Sequence, residues 1–575
     1  MTGAADDWWR TAVVYQVYPR SFADSDGDGV GDLRGIIGRL DHLAYLGIDV
    51  IWLSPVFRSP HDDNGYDISD YQAIDPAFGT LEDLDELIAA AHARGIRIVL
   101  DLVLNHTSDE HPWFIESASG RDSAKRDWYW WRPPREGHVG GEPGAEPNNW
   151  GSFFSGSAWQ WDPASGEYYL HLFSTKQPDL NWENPEVRAS IHRMLNWWLD
   201  RGVDGFRLDV INFISKPLDL PDGPPRGDGW GDGVPLYGYG PRIHEFLQEL
   251  HAEVFEGRGR HILSIGEMPG VMPEQARRFT DPARRELDMV FQFDHVGLDH
   301  GPRGKWEHRP LDLPALKRTF ARWQDALADT GWNSLYWSNH DQPRVVSRFG
   351  DDGEHRVRSA TALATVLHLQ RGTPFVYQGE ELGMTNAAFG AIEDFRDIES
   401  LNHFAHAAKV IGTDAVLAGL RRMSRDNART PMQWDDSRHG GFTAGTPWIA
   451  VNANTSTINA ASQRGRAGSV LEFYRDLIAL RHREPLVVTG RFGLLAPEHP
   501  SLFAFERAGE DRRLLVLANL ASSSIGRDEL AALVPQLDGR VLLANHPDPD
   551  PQDGLRPWEA VVLEQRRGRD TPAAG

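Results

Sequence analysis

Four short apolar runs in this chain each end in residues that can do acid–base or nucleophilic chemistry. Ile98–Leu104, with Asp101 inside it, runs into Asn105 and His106. Phe206–Leu208, interrupted by Arg207, runs into Asp209. Ile262–Ile265 is followed by Gly266 and Glu267, and Ser334–Trp337 by Asn339, His340, Asp341 and Gln342. A lone acid at the end of such a run more often caps the next helix than does chemistry. Three of them, in the company of two histidines and an arginine, are hard to explain as caps. Paired carboxylates are what cleavage of a glycosidic bond requires: one attacks as nucleophile, and a second, with a raised pKa, gives up a proton and later takes one from water. Arg207 stands two residues before Asp209 on an extended segment, so both side chains point to one face and the guanidinium can keep Asp209 ionised.

The elements that must position these residues alternate. Ala12–Tyr18 reads as a strand, and Leu33–Leu46 has helical periodicity and stops at Gly47, a favoured helix-ending residue. Val50–Leu53 is the next strand; Thr80 can cap the following helix with Asp83 three residues on, and that helix ends at Gly95. Ile98–Leu104, Phe206–Leu208, Ile262–Ile265, Met289–Phe293, Ser334–Trp337 and Phe375–Tyr377 continue the series, and Asn184-Pro185 opens a helix to Asp200. Eight strand–helix alternations predict an α/β fold, a (β/α)8 TIM barrel whose chemistry sits at the carboxyl ends of the strands. One interval breaks the rhythm: residues 105–178 are rich in Trp, Gly and Pro and predict an inserted subdomain after strand three. The barrel would then comprise residues 1–104 and 179–486. The stretch Pro217–Pro241 is expected to contribute to the pocket rim. Ser469 with Glu472 reads as a capping box opening a helix to Arg483. Beyond it, Phe503–Glu506, Leu514–Asn519, Val541–Ala544 and Ala560–Leu563 predict a C-terminal all-β domain, a β-sandwich over 487–575, with a disordered tail from Arg566.

The four chemistry-bearing segments, in this order and on these strands, resemble the signature regions of the α-amylase superfamily, glycoside hydrolase family 13, and the resemblance covers nearly the whole chain. It implies that Asp209 is the nucleophile, Glu267 the general acid/base and Asp341 the transition-state stabiliser, with His106 and His340 binding the glucose ring. Asp63 and Tyr66 resemble the pair that closes the pocket behind glucose and stacks on it. The arginine that the family pairs with this Asp most resembles Arg425, with Arg429 as the alternative; such a pair would block the pocket floor and make the enzyme exo-acting. Phe154, Phe173 and Gln177 resemble wall residues. Val210, directly after the nucleophile, and the Gly266–Val271 stretch resemble oligo-1,6-glucosidases, where Val favours α-1,6 links; relatives that prefer α-1,4 links more often carry Ala or Thr. Val210 could also be no more than a β-branched strand-end residue. Sucrose isomerases share the catalytic set but carry a charged arginine motif after strand six that Phe293–Gly301 lacks.

Asp24, Asp26 and Asp28 followed by Gly29 begin like an EF-hand loop, although Gly35 stands where the bidentate Glu belongs and Asp32 offers a fourth carboxylate earlier. Acids this dense call for a hard cation, Ca²⁺ first and Mg²⁺ second, in a structural role. The segment resembles the calcium loop of oligo-1,6-glucosidases, which implies Asp24, Asp26, Asp28, the Val30 carbonyl and Asp32 as ligands. No organic cofactor is expected.

Composition narrows the partners. A net charge of −24 argues against nucleic acid and anionic membranes and suits a small neutral oligosaccharide. The chain has no cysteine, its first ten residues lack the basic start of a signal peptide, and no window is apolar enough to span a membrane, so a cytoplasmic monomer or homodimer is expected. Most of the 21 tryptophans should be core. The expected function is a retaining exo-acting α-glucosidase with α-1,6 preference. The rivals are an α-1,4- or sucrose-active α-glucosidase, a sucrose isomerase or transglucosidase and, remotely, a non-catalytic partner subunit.

Overall fold

Leucine and isoleucine at helical spacing bury one face of helix α1 (Leu33–Leu46), through Leu33, Ile36, Leu40, Leu43 and Leu46. Asp32 caps its start by accepting the Gly35 amide, and Gly47, at φ 90°, ends it. Helix α2 (Leu81–His92) opens on a full Thr80–Asp83 capping box, and α3 (Pro185–Asp200) on Asn184 with proline at the first turn. These starts are the ones predicted.

A computed structural model describes residues 7–302 and 304–566, so the expected disordered tail lies almost wholly outside the described residues. Eight parallel strands form one sheet: β1 (Val14–Val17), β2 (Val50–Leu53), β3 (Arg97–Val103), β4 (Gly205–Asp209), β5 (Leu263–Glu267), β6 (Met289–Phe291), β7 (Ser334–Leu335) and β8 (Thr373–Tyr377), in spatial order β6-β5-β4-β3-β2-β1-β8-β7. A parallel bridge between Val290 and Asn333 joins the two edges and closes the barrel. Nearly every strand residue is buried, as parallel strands covered on both faces must be. β7 is shorter than the apolar run suggests. Tyr336 leaves the ladder to donate its hydroxyl to the Gln292 carbonyl (2.8 Å), and the Trp337 indole donates to Leu363 (2.8 Å).

Between β3 and β4 the chain builds the predicted insert: a short helix, Pro112–Ala118, and a three-stranded antiparallel sheet of Trp131–Arg132, Trp159–Asp162 and Glu167–Leu170. Trp130, Trp150, Trp159 and Leu170 pack with Val210, Phe213, Leu220 and Tyr237, so the insert shares its core with the loop after the nucleophile. The Pro217–Pro241 stretch therefore backs the insert, accepting Asn148 and Trp150 side-chain bonds at Leu220 and Pro221, and none of its residues lines the cavity.

Helices α4 (Leu313–Ala326), α5 (Arg356–His368), α6 (Ile398–Ile411) and α7 (Val470–Arg483) complete the part of the scaffold that matters here. Ser469 caps α7, but Glu472 does not reach back as a capping box requires; its carboxylate takes the Tyr45 hydroxyl (2.6 Å) and the Gly465 amide (2.7 Å). The C-terminal strands β9 (Arg491–Leu495), β10 (Leu502–Ala508), β11 (Arg512–Asn519), β12 (Arg540–Ala544) and β13 (Ala560–Arg566) form one antiparallel sheet, order β9-β10-β11-β13-β12. Alternate residues face opposite ways. Phe503, Phe505, Leu514 and Val516 join the barrel's core, while Leu502, Ala504, Leu515 and Leu517 pack with Leu530 and Val534. That outer face is covered by a small layer holding helix Arg527–Leu533 and a second, two-stranded sheet of Ile525–Gly526 and Gly554–Leu555, whose Ile525 and Leu555 pack on the large sheet.

Candidate active site

The barrel mouth collects the chemistry. Asp209 is the last residue of β4 and Glu267 the last of β5; Asp341 follows β7, His106 follows β3, and Asp63 and Tyr66 follow β2. Arg207 sits at the centre, fully buried, and serves three carboxylates: Nη1 lies 2.6 Å from Asp209 Oδ1 and 2.8 Å from Asp101 Oδ1, and Nη2 lies 2.5 Å from Glu267 Oε1. The second Glu267 oxygen accepts the Val210 amide at 3.2 Å. Sharing changes the expected electrostatics. Burial pushes the Asp209 carboxyl up, and the negative Glu267 and Asp101 push the same way against the pull of Arg207. Arg207 therefore does not by itself offset the burial of Asp209. One guanidinium thus holds Asp209 and Glu267 side by side at the ends of neighbouring strands, as a nucleophile and an acid acting on one bond must be.

These groups open onto a cavity of about 270 Å³. Asp209, Glu267, Asp341, Asp63, Tyr66, His106, Phe154, Phe173, Val210 and Arg425, all singled out from the sequence, line it. Arg425 is the arginine that meets Asp63, Nη2 to Oδ1 at 3.1 Å; Arg429 instead reaches Asp341 (3.0 Å) and Asp397 (3.3 Å). Burial pushes Asp63 up to about 7 even beside Arg425. Asp341 is held well below the usual carboxylate range: the low-dielectric surround works against its charge, but His340, Arg425 and Arg429 outweigh it.

Three predicted residues stand behind the wall. Gln177 is buried and donates to Asp63 Oδ2 (3.2 Å) and the Tyr66 carbonyl (3.3 Å). His340 stacks under Tyr66, centroids 5.0 Å apart and planes 6° apart, with Nε2 3.2 Å from Asp341 Oδ2. It is fully buried, so it supports Tyr66 and Asp341 from behind, where a direct contact with the sugar had been expected. Arg207 is the third. His106 faces the cavity. Its Nε2 points at the Tyr66 carbonyl (3.1 Å) and so carries the proton, leaving Nδ1 to accept from Asn105 (3.2 Å). Burial pushes this imidazole down to about 4, so it is a neutral donor at ordinary pH.

The sequence reading missed several lining residues. Phe153 stacks between Phe173 (5.1 Å) and Phe213 (5.7 Å), tying the insert to the loop after the nucleophile. Its position beside Phe154 was the available signal. Lys305 and Glu399 pair across the mouth although 94 residues separate them, and no spacing could have announced that. Asp397, fully buried, links Arg425 and Arg429.

Away from the mouth, the oxygens of Asp24, Asp26 and Asp28 lie within 4.8 Å of one another, a donor set that fits a hard divalent cation. Asp32 is outside this group. Its carboxylate takes the Gly35 amide and both donors of Ser25, as the cap of α1.

Residues 16–490 match the family described as Alpha amylase, catalytic domain. Among curated proteins, the chain is 52% identical to an oligo-1,6-glucosidase of Parageobacillus thermoglucosidasius, over 97% of this chain and 99% of that one. Among solved structures, it is similar to a trehalose-6-phosphate hydrolase of Bacillus licheniformis, with 44% identity, TM-score 0.89 and coverage of 97% and 100%. It is also similar to an isomaltulose synthase of Klebsiella sp. LX3, with 40% identity, TM-score 0.91 and coverage of 99% and 100%. No helix among the described residues is long and apolar enough to cross a membrane.

Proposed function

Because this chain belongs to the α-amylase family, glycoside hydrolase family 13, we propose that it is a retaining, exo-acting α-glucosidase that releases glucose from the non-reducing end of short α-glucosides and prefers α-1,6 links. The observation that carries the reading is one cavity with a nucleophile–acid pair on a shared guanidinium and a floor closed by the Asp63–Arg425 ion pair. A floor closed by an ion pair admits a chain end and excludes a chain running through.

In the reaction, Asp209 attacks the anomeric carbon while Glu267 protonates the leaving oxygen, and the Val210 amide and Arg207 orient Glu267 for it. Water then opens the glucosyl-enzyme, with Glu267 as base, and the configuration is retained. Two carboxylates held by one guanidinium suit the roughly 5–5.5 Å spacing of retaining enzymes better than the wider gap of inverting ones.

Linkage preference rests on Val210, which narrows the cavity beside the nucleophile, and on the likeness to oligo-1,6-glucosidases. The likeness to trehalose-6-phosphate hydrolases raises a phosphorylated acceptor as a second reading. Charge disfavours it. Asp63, Asp209, Glu267, Asp341 and Glu399 line the cavity, and its described basic residues, Lys305 and Arg425, are each already paired with acids. A phosphate dianion would find those cations already engaged and would face the Asp341 carboxylate. The Asp24, Asp26 and Asp28 loop would hold Ca²⁺, with Mg²⁺ as the alternative, and stabilise the start of the barrel. The absence of cysteine suits work in a reducing cytoplasm.

The test is product analysis on isomaltose, maltose, trehalose, trehalose 6-phosphate and sucrose, beside Asp209→Ala. Glucose is expected fastest from isomaltose and absent with the variant. Faster cleavage of maltose overturns the linkage preference, faster cleavage of trehalose 6-phosphate overturns the neutral acceptor, and new disaccharides from sucrose turn the answer to an isomerase.

A further inference from the structure

Two buried arginines stand on the same side of the sugar pocket, and their charge opposes the reaction. The transition state of glycoside cleavage is an oxocarbenium-like cation, and Asp341 faces it from the cavity wall. Yet Asp341 Oδ1 is bonded to both Arg425 Nη1 (3.1 Å) and Arg429 Nη2 (3.0 Å). A carboxylate matched against two guanidinium groups has little charge left to offer a developing cation. Asp397 alters that balance. Its Oδ1 accepts Arg425 Nε at 2.8 Å and Arg429 Nη1 at 3.3 Å, and it also pairs with Arg425 Nη2. Its other oxygen caps α6 through the Ser400 amide and hydroxyl, both at 3.1 Å. Asp426 returns the grip: its Oδ2 accepts the amides of Arg396 (2.9 Å) and Asp397 (3.1 Å). The two loops are locked together, and Asp397 cannot swing away from the arginines.

We infer that Asp397 is a charge-balancing, positioning residue of glycoside cleavage, which neutralises Arg425 and Arg429 from behind and so leaves Asp341 its negative charge toward the sugar. The helix cap alone does not account for the arrangement, because capping occupies one oxygen and the arginines occupy the other. The inference rests on the α-glucosidase reading above. It assigns a role to a residue that touches no substrate, and it predicts a loss specific to positive charge in the pocket.

Asp397→Asn removes the charge at nearly constant size. With a chromogenic α-glucoside, kcat should fall about 30-fold while KM stays within about threefold. Inhibition by a protonated glucose-configured iminosugar should weaken at least about tenfold more than inhibition by neutral glucose. Adding Arg429→Gln to Asp397→Asn removes one positive charge as well, and should restore much of the preference for the cation. Equal weakening of both inhibitors, or no recovery in the double variant, overturns the inference, since damage that is merely structural does not distinguish a cation from its neutral counterpart. Should Asp397→Asn fail to fold, Arg429→Gln alone gives the same readout with opposite sign: the iminosugar must tighten relative to glucose, and weakening overturns the proposal. Wild-type enzyme that cleaves no α-glucoside would instead overturn the α-glucosidase reading. Active wild type with a flat inhibitor ratio in the variants defeats this inference alone.

Discussion

Val210 holds a left-handed backbone, φ 36° and ψ 41°, directly after the nucleophile, a conformation that costs a side chain roughly 1–2 kcal/mol and a β-branched one more. The turn aims its amide at Glu267 and its side chain at the cavity. Val210→Gly would lose about 2 kcal/mol of burial and recover most of it as relieved strain. Its stability in denaturant should therefore stay within about 1 kcal/mol of wild type, while the isomaltose-to-maltose rate ratio drops. A loss above about 3 kcal/mol would mean that the strain is not there. A second prediction concerns pH. Asp101 is one of the negative neighbours that raise the Asp209 carboxyl, and it also draws on Arg207. Removing a negative neighbour lowers a carboxyl pKa, so Asp101→Asn should move the acid limb of kcat/KM to lower pH, alongside about a tenfold loss of rate. An acid limb that stays in place or rises refutes the shared-guanidinium account. The main site acids were legible at this scale because each ends an apolar run. Asp397 was not, because its partners come from two loops that only folding joins.

At the scale of elements, helix starts followed the residues closely, since caps are local chemistry: Asp32, Thr80 and Asn184 each accept an amide two or three residues on. Glu472 shows the limit, because a nearby Tyr45 hydroxyl outcompeted its own helix end. The Asp24–Asp28 loop leads into α1 through Asp32, so a cation there would hold the first barrel helix in place. If it binds, a chelator should lower Tm by at least about 2 °C, with Ca²⁺ restoring it better than Mg²⁺. Asp28→Asn should then be insensitive to both additions. Identical melting with and without chelator would leave the loop a metal-free turn.

The whole molecule ties its parts together more tightly than domain boundaries suggest. Helix α5 is buried through ten consecutive residues, Ser359 to His368, between barrel and C-terminal sheet. Lys317 on α4 donates to the Ala496, His499 and Leu502 carbonyls of the sheet region at 2.7–3.0 Å. Ending the chain after Thr489 would uncover that face and leave Lys317 without acceptors, so the fragment should be recovered aggregated or without a cooperative melt. A soluble 1–489 fragment that still releases glucose would show that the sheet is a separable appendage.

What the sequence determined by itself is whatever depends on near neighbours along the chain. Periodicity placed the eight strands, capping residues placed the helices, and two-residue spacing set Arg207 and Asp209 on one face. Tertiary structure decided what depends on crowding in three dimensions. It divided one guanidinium among Asp101, Asp209 and Glu267, seated His340 behind Tyr66, set Arg425 rather than Arg429 against Asp63, and laid a two-stranded sheet on the outer face of the five C-terminal strands. It also brought Asp397 to both arginines. Charge and burial at a site sum over every group within a few ångströms, and most of those groups are distant in the chain.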